Sequence, residues 1–244
     1  MRSYVGKNIQ GDSPLQELDA SFDEKALKLL LTPEEHAAIL DHYLNSHLPG
    51  PHLPPSWVTA RGIALDRPVL ASFGEEGVRQ VVLLGAGMDL RPWRIKWPAA
   101  CSVFEIDSPS IISARDRVAS QLGAPSSCKR VGVVGNLSDW PTVEASLLSA
   151  GFRPSVPTAW IAEGLLGYLS VPHMFALFHG TRELSSAHSL FVAIAENEPS
   201  QTISFPLMKQ GFLPKTIVCR QEGCELLRVL RFTRRTNQPK QNKR

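Results

Sequence analysis

The stretch "VVLLGAGMDLRPWRI" occupies residues 81–95. Four aliphatic residues run directly into a turn with glycine at 85 and 87. An acid, a leucine and "RPWR" follow. An unbroken apolar run of this length suits a parallel strand covered on both faces, and "MDLRPWRI" opens a short helix. A glycine turn after the first strand of a parallel sheet lets backbone approach a ligand beside a helix N-terminus.

The pattern repeats downstream. "CSVFEID" (101–107), "KRVGVVGN" (129–136), "PTAWIAEGLLGYL" (157–169) and "HSLFVAIAENE" (188–198) each hold a strand. Between them, "SPSIISARDRVASQLG", "SDWPTVEASLLSAG" and "VPHMFALFHGTRELSS" read as helices, two of them closed by glycine. Strand and helix alternating at short intervals predict an α/β fold, with a doubly wound, mostly parallel sheet. Past Glu198, "KTIVCR" and "LLRVLRF" predict an antiparallel edge hairpin around "QEGCE". Upstream, 23–48 reads as two helical pieces, "PGPHLPPS" (49–56) as a proline-rich hinge, and "WVTARGIALDRPVLASFGEEG" as helical with an interruption at Pro68. Three units follow: a helical segment with its hinge over 1–56, a main domain over 57–232, and a basic tail over 233–244.

Composition narrows the function classes. Among 244 residues, 43% are hydrophobic and 20% charged, ordinary globular values. No apolar run approaches the ~20 residues of a membrane span, and the N-terminus has no apolar signal core, so the cytoplasm is the expected location. The formal charge of +3 hides an asymmetry. Residues 228–244 hold seven basic groups and no acid, whereas the remainder has 19 basic and 23 acidic residues, a net of −4. That basic run reads as a solvated, disordered tail, and nucleic acid is not an expected partner. Four scattered cysteines and the histidines at 36, 42 and 47 form no zinc-finger or disulfide pattern, so no metal is expected.

The register of the turn bears on its ligand. In dinucleotide enzymes a third glycine, three places after the second, leaves room for pyrophosphate. Here Leu90 stands in that place and Asp89 brings a carboxylate, so the turn suits a nucleoside without phosphates. Asp107 ends the second strand 22 residues beyond Gly85, near the ~20 expected of a ribose-binding acid. Glu105 shares its face, since side chains alternate along a strand, but lies farther from the ligand edge. The plain structural alternative for Asp107 is a helix N-cap, a role that Ser108 could fill instead.

Together "LLGAGMDLRPWRI", "VFEID" and "AWIAEGLLGYL" resemble the leucine carboxyl methyltransferase family, over roughly residues 57–196. The resemblance implies a Rossmann-like class I methyltransferase fold with N-terminal helices, and S-adenosyl-L-methionine as cofactor. It implies Arg61 against the cofactor's methionine carboxylate, Gly85 and Gly87 lining the cofactor, and Asp107 on the ribose hydroxyls. Asn136 and Leu137 match the family's Asp-Leu pair at the adenine, and Glu163 matches a glutamate beside the cofactor. Tyr168 would face the transferred methyl. Asparagine at 136 departs from the family but still offers an acceptor to the adenine amino group. A turn residue is the alternative for Asn136, and a surface ion pair for Arg61. Family members also carry a longer segment after the fifth strand, so the acceptor pocket here is expected to be shortened or completed by the N-terminal helices.

A methyl on a sulfonium is already activated, so the protein must chiefly align it and exclude water. The expected acceptor is a carboxylate or hydroxyl of a small molecule or peptide. A carboxylate needs no general base at neutral pH; a hydroxyl would, and His173 is the nearest candidate, with a helix-start surface histidine as its alternative. No catalytic residue is assigned, and oligomeric state is left open. Two rival readings remain: a degenerate methyltransferase fold that binds the cofactor or a partner, and an NAD-dependent oxidoreductase.

Overall fold

The computed structural model describes residues 55–87, 89–122, 126–195, 212–221 and 224–234. The pieces expected over 23–48, the histidines there and the residues after 234 lie outside the described residues.

Among those residues the chain runs α1 (Pro55–Glu75), β1 (Gln80–Leu84), α2 (Arg91–Arg94), β2 (Ser102–Asp107), α3 (Pro109–Leu122), β3 (Lys129–Val134), α4 (Trp140–Ser149) and β4 (Thr158–Ala162). A 3-10 turn (Leu166–Tyr168) leads to α5 (Val171–Glu183), β5 (Leu190–Ala195), β6 (Phe212–Gln221) and β7 (Cys224–Arg234). The strands form one sheet ordered β3-β2-β1-β4-β5-β7-β6, with β1 to β5 parallel and β7 antiparallel to both its neighbours. The expected edge hairpin is present, and its strands are longer than the apolar pattern alone suggested. Arg228, Arg231 and Arg234, read as part of a basic tail, lie within β7.

Both faces of the sheet are covered, which is why β1 and β4 are apolar at nearly every position. On one face, Val82, Phe104, Trp160 and Phe191 pack with Trp140, Val143 and Leu147 of α4 and with Leu177 and Phe178 of α5. On the other, Val81, Val103, Ile161 and Val192 pack with Leu65, Val69 and Phe73 of α1, and with Ile95 and Trp97. Each large aliphatic side chain so buried contributes roughly 1.5–3 kcal/mol.

Pro68 does not interrupt α1, which continues through it from Pro55 to Glu75. An interior proline costs ~3 kcal/mol. Leu65 and Val69, both fully buried, clamp the helix to the sheet on either side of Pro68, and Asp66 is held by an ion pair. Packing outweighs the lost hydrogen bond. The helix also starts at Pro55, inside the stretch read as a hinge, with proline in the first turn where no N–H is needed.

Candidate functional site

The crossovers reverse direction between β1 and β4, the switch point at which open α/β sheets form a ligand crevice at the carboxyl ends of their strands. Gly85 and Gly87 turn the chain over the end of β1 with φ of +68° and +43°. A Cβ on Gly85 would lie 3.4 Å from Leu165 Cδ1 and 3.8 Å from Leu137 Cδ1. The left-handed φ and these leucines together account for glycine at 85. Leu90, in the third-glycine place, is buried.

Asp107, at the end of β2, faces this turn. Its Oδ2 accepts from the Gly87 N–H at 2.8 Å and its Oδ1 from the Ser108 N–H at 2.7 Å. Ser108 Oγ faces the Ile111 N–H of α3 at 3.5 Å, so the cap position belongs to Ser108, and the carboxylate of Asp107 is left on the glycine turn. A carboxylate has about four lone-pair sites. Two accept from backbone here, and Asp107 is only half-buried, so acceptor capacity is left for a diol.

The turn has a second neighbour that sequence reading passed over. The buried Arg91 guanidinium meets three acids: Nε bonds Asp66 Oδ1 at 2.6 Å, Nη2 bonds Glu163 Oε2 at 2.7 Å, and Nη1 bonds Asp89 Oδ2. The Arg91 N–H also donates to Asp89 Oδ1 at 2.8 Å, and Trp97 Nε1 donates to the Arg91 carbonyl at 2.9 Å. Burial acts to lower the Arg91 pKa; the charges of Asp89, Glu163 and Asp66 outweigh it and hold the pKa well above the usual arginine value. Asp89 is therefore turned onto Arg91. Its expected role of repelling a second anion from the turn loses force, and the buried Leu90 carries that distinction. The arginine of "MDLR" was the available signal, but its three partners come from α1, the turn and the end of β4.

Glu163 follows β4 at the crevice, its side chain 16% exposed and bonded to Arg91. Leu137 is buried over Gly85. Asn136 is exposed, and its Oδ1 accepts from the Ser138 N–H at 3.0 Å, the turn alternative noted above. Arg61 lies in α1 upstream of Asp66, and its side chain is outside what the structure describes. Tyr168 lies on the 3-10 turn that follows Glu163 and is 80% exposed. His173, exposed in the first turn of α5, has Nδ1 3.0 Å from Ser170 Oγ. It is a helix-start residue.

Among the described residues, no group of three His, Cys, Asp or Glu is placed to hold a metal, and no helix is long and apolar enough to cross a membrane. Cys101 and Cys128 are free thiols at the amino ends of β2 and β3, opposite the crevice, and burial pushes each up to about 12. The cleft beside them, lined by Ser127 and Lys129, is remote from the glycine turn.

Sheet order, glycine turn and strand-end acid define the Rossmann-like fold of class I methyltransferases. Solved structures agree. A magnesium protoporphyrin IX methyltransferase from Synechocystis, determined with bound S-adenosylhomocysteine, superposes with a TM-score of 0.52 at 11% identity, covering 82% of this chain and 100% of that one. The same enzyme with S-adenosylmethionine gives 0.52 at 14% identity, covering 81% and 96%. The model of the leucine carboxyl methyltransferase family matches residues 19–181, and the chain belongs to that family. The match begins well upstream of residue 57, so the family's extent takes in part of the N-terminal segment.

Two relatives are provisionally classed as S-adenosyl-L-methionine-dependent methyltransferases. One, from Mycobacteroides abscessus, is 40% identical over 146 residues, covering 59% of this chain and 47% of its own length. The other, from Mycolicibacterium smegmatis, is 46% identical over 121 residues, covering 49% and 38%. The matches thus span less than half the length of these relatives.

Proposed function

We propose that the chain is an S-adenosyl-L-methionine-dependent O-methyltransferase acting in the cytoplasm on a carboxylate, or less readily a hydroxyl, of a small molecule or peptide. The observation that carries this reading is Asp107: an acid at the strand-end switch point, fixed by the Gly87 N–H and facing a turn that has no third glycine. Family membership and the relatives' descriptions support it.

The residues fit such a cofactor. The apolar cradle of Gly85, Leu137 and Leu165 suits a flat nucleoside, and Asp107 suits its diol. When bound, the cofactor supplies an activated methyl group. The chain's own part is to hold the sugar through Asp107, to seat the base beside Leu137 and the Asn136 amide, and to keep Glu163 fixed through Arg91. Arg61, in α1, is proposed to meet the cofactor's carboxylate, which a guanidinium fork matches in geometry. Residues 57–232 are proposed as the catalytic unit.

A carboxylate acceptor asks least of these residues, being ionised at pH 7 without help. His173, engaged with Ser170, is not required as a base. Isothermal titration with S-adenosylhomocysteine tests the site: wild type should bind, and Asp107→Ala should bind at least tenfold more weakly. Equal affinities would remove the ribose assignment. Transfer of labelled methyl into base-labile esters in a lysate would identify carboxylate acceptors.

A further inference from the structure

One buried cluster beside the crevice has no part in the reading above. Glu105 of β2 is fully buried and joined to two arginines: Arg115 of α3 through Oε1, and Arg130 of β3, whose Nη2 lies 2.5 Å from Oε2. Trp93 of α2 covers them, with the Arg130 Cζ 4.0 Å and the Arg115 Cζ 5.6 Å from its ring centroid. Arg115 does more than neutralise Glu105. Its Nη1 donates to the Gly87 carbonyl at 2.8 Å and to the Ala86 carbonyl at 3.2 Å.

The Ala86 carbonyl and the Gly87 N–H belong to one peptide unit. Its oxygen accepts from the Asp89 N–H at 2.8 Å and from Arg115 at 3.2 Å, and its N–H holds Asp107 Oδ2 at 2.8 Å. Arg115 adds a charged donor there and grips the next carbonyl, Gly87, as well, which ties the peptide to the buried cluster and, by drawing charge toward the carbonyl oxygen, strengthens its N–H as a donor. A buried salt bridge alone is weak support for stability, since desolvation offsets much of the attraction. Aiming a loop is a different service.

We propose that Arg115, anchored by Glu105, is a positioning residue that aims the carboxylate of Asp107 at the cofactor's ribose through the Ala86–Gly87 peptide. This rests on the cofactor reading given above. Arg115 is itself buried, and its hydrogen bonds go to Glu105 and the turn. A lysine keeps the charge but lacks the fork that spans Glu105 and two carbonyls.

The test uses the full chain, with S-adenosylhomocysteine and its 2′-deoxyribose analogue as titrants. Wild type should prefer the ribose form. Arg115→Lys should weaken S-adenosylhomocysteine about tenfold and the deoxy analogue much less. In an Asp107→Ala background, the same lysine should change affinity less than about threefold. Equal losses for both ligands, undiminished without Asp107, would overturn the proposal and leave Arg115 a mere core residue. Where Arg115→Lys does not fold, Glu105→Gln, which removes the charge that anchors Arg115, takes its place with the same expectations in direction. Amide hydrogen exchange of the unliganded protein separates this inference from the cofactor reading. The Gly87 amide should exchange about tenfold faster in the variant, while Val82 and Phe104 keep their protection. If wild type binds neither nucleoside, the cofactor reading falls, and Gly87 exchange alone decides. Unchanged exchange defeats the positioning role.

Discussion

Replacing Arg91 by lysine keeps one positive charge at the centre of the acid cluster and removes the fork. Arg91 reaches Asp66, Asp89 and Glu163 through three different nitrogens, two of the contacts at 2.6 and 2.7 Å. A lysine ammonium is a single point on a flexible stem and can stay close to one of them, so two charge-assisted contacts are lost. Each is worth roughly 1.5–3 kcal/mol, and breaking a buried ion pair costs about 3–5 kcal/mol. The three acids have further partners, so the lower end, about 3 kcal/mol, is the better figure. For a domain of this size each kcal/mol moves Tm by about 2–4 °C, giving a fall of about 6–12 °C. Thermal unfolding by intrinsic tryptophan fluorescence suits the measurement, because Trp97 donates to the Arg91 carbonyl and will report the same region. Titration with S-adenosylhomocysteine below the new Tm should show weakened binding as well, since Glu163 loses its anchor. A Tm within about 2 °C of wild type, with unchanged affinity, would refute the claim that Arg91 organises the crevice.

Two helical glycines make a matched pair. In α5, a Cβ on Gly180 would fall 1.7 Å from Nε1 of the buried Trp140, so Gly180→Ala should destabilise by about 1–3 kcal/mol or more despite better helix propensity. In α1, a Cβ on Gly74 meets nothing within 4 Å, and Gly74→Ala should stabilise by about 0.4–1 kcal/mol; urea denaturation compares the two. Gly85→Ala places a side chain at φ +68° beside Leu165, at a cost of roughly 1–2 kcal/mol, and calorimetry should show weaker S-adenosylhomocysteine binding. Cys101 and Cys128 are pushed up to about 12, so the native protein should react slowly with iodoacetamide at pH 7.5 and quickly once unfolded. Their folded pKa values lie above the unfolded ones. Their stabilising contribution is complete below pH 9 and lost as pH rises toward 12, which a Tm series across that window would detect.

The parallel strands were legible because burial on both faces leaves a continuous apolar run, and the glycine turn and Asp107 were legible because their spacing follows from the strand–turn–strand geometry. Pro68 misled because local propensity carries no information about Leu65 and Val69 clamping α1 to the sheet. The Arg91 cluster was illegible for a related reason: Asp89 is its neighbour in the chain, but Asp66 arrives only when α1 packs on the sheet and Glu163 only when β4 pairs with β1. Glu105 looked like a lesser copy of Asp107, and its partners, Arg115 and Arg130, sit on α3 and β3 at no helical or strand spacing from it. Tyr168 and Asn136 were placed by motif alone, and what the fold adds is their surroundings: Tyr168 is exposed on the 3-10 turn, and Asn136 Oδ1 accepts from the Ser138 N–H.

The pairing of β1 with β4 joins chain segments 78 residues apart, as at Gln80 and Thr158, and the crevice exists only once that pairing is made. Any molecule seated there therefore recognises the finished topology and ignores the collapsed or half-assembled chain. By mass action, a hundredfold excess over Kd deepens the native well by about 2.7 kcal/mol. Supply of the small molecule thereby becomes a determinant of how much intact protein a cell retains, whatever the rate of turnover.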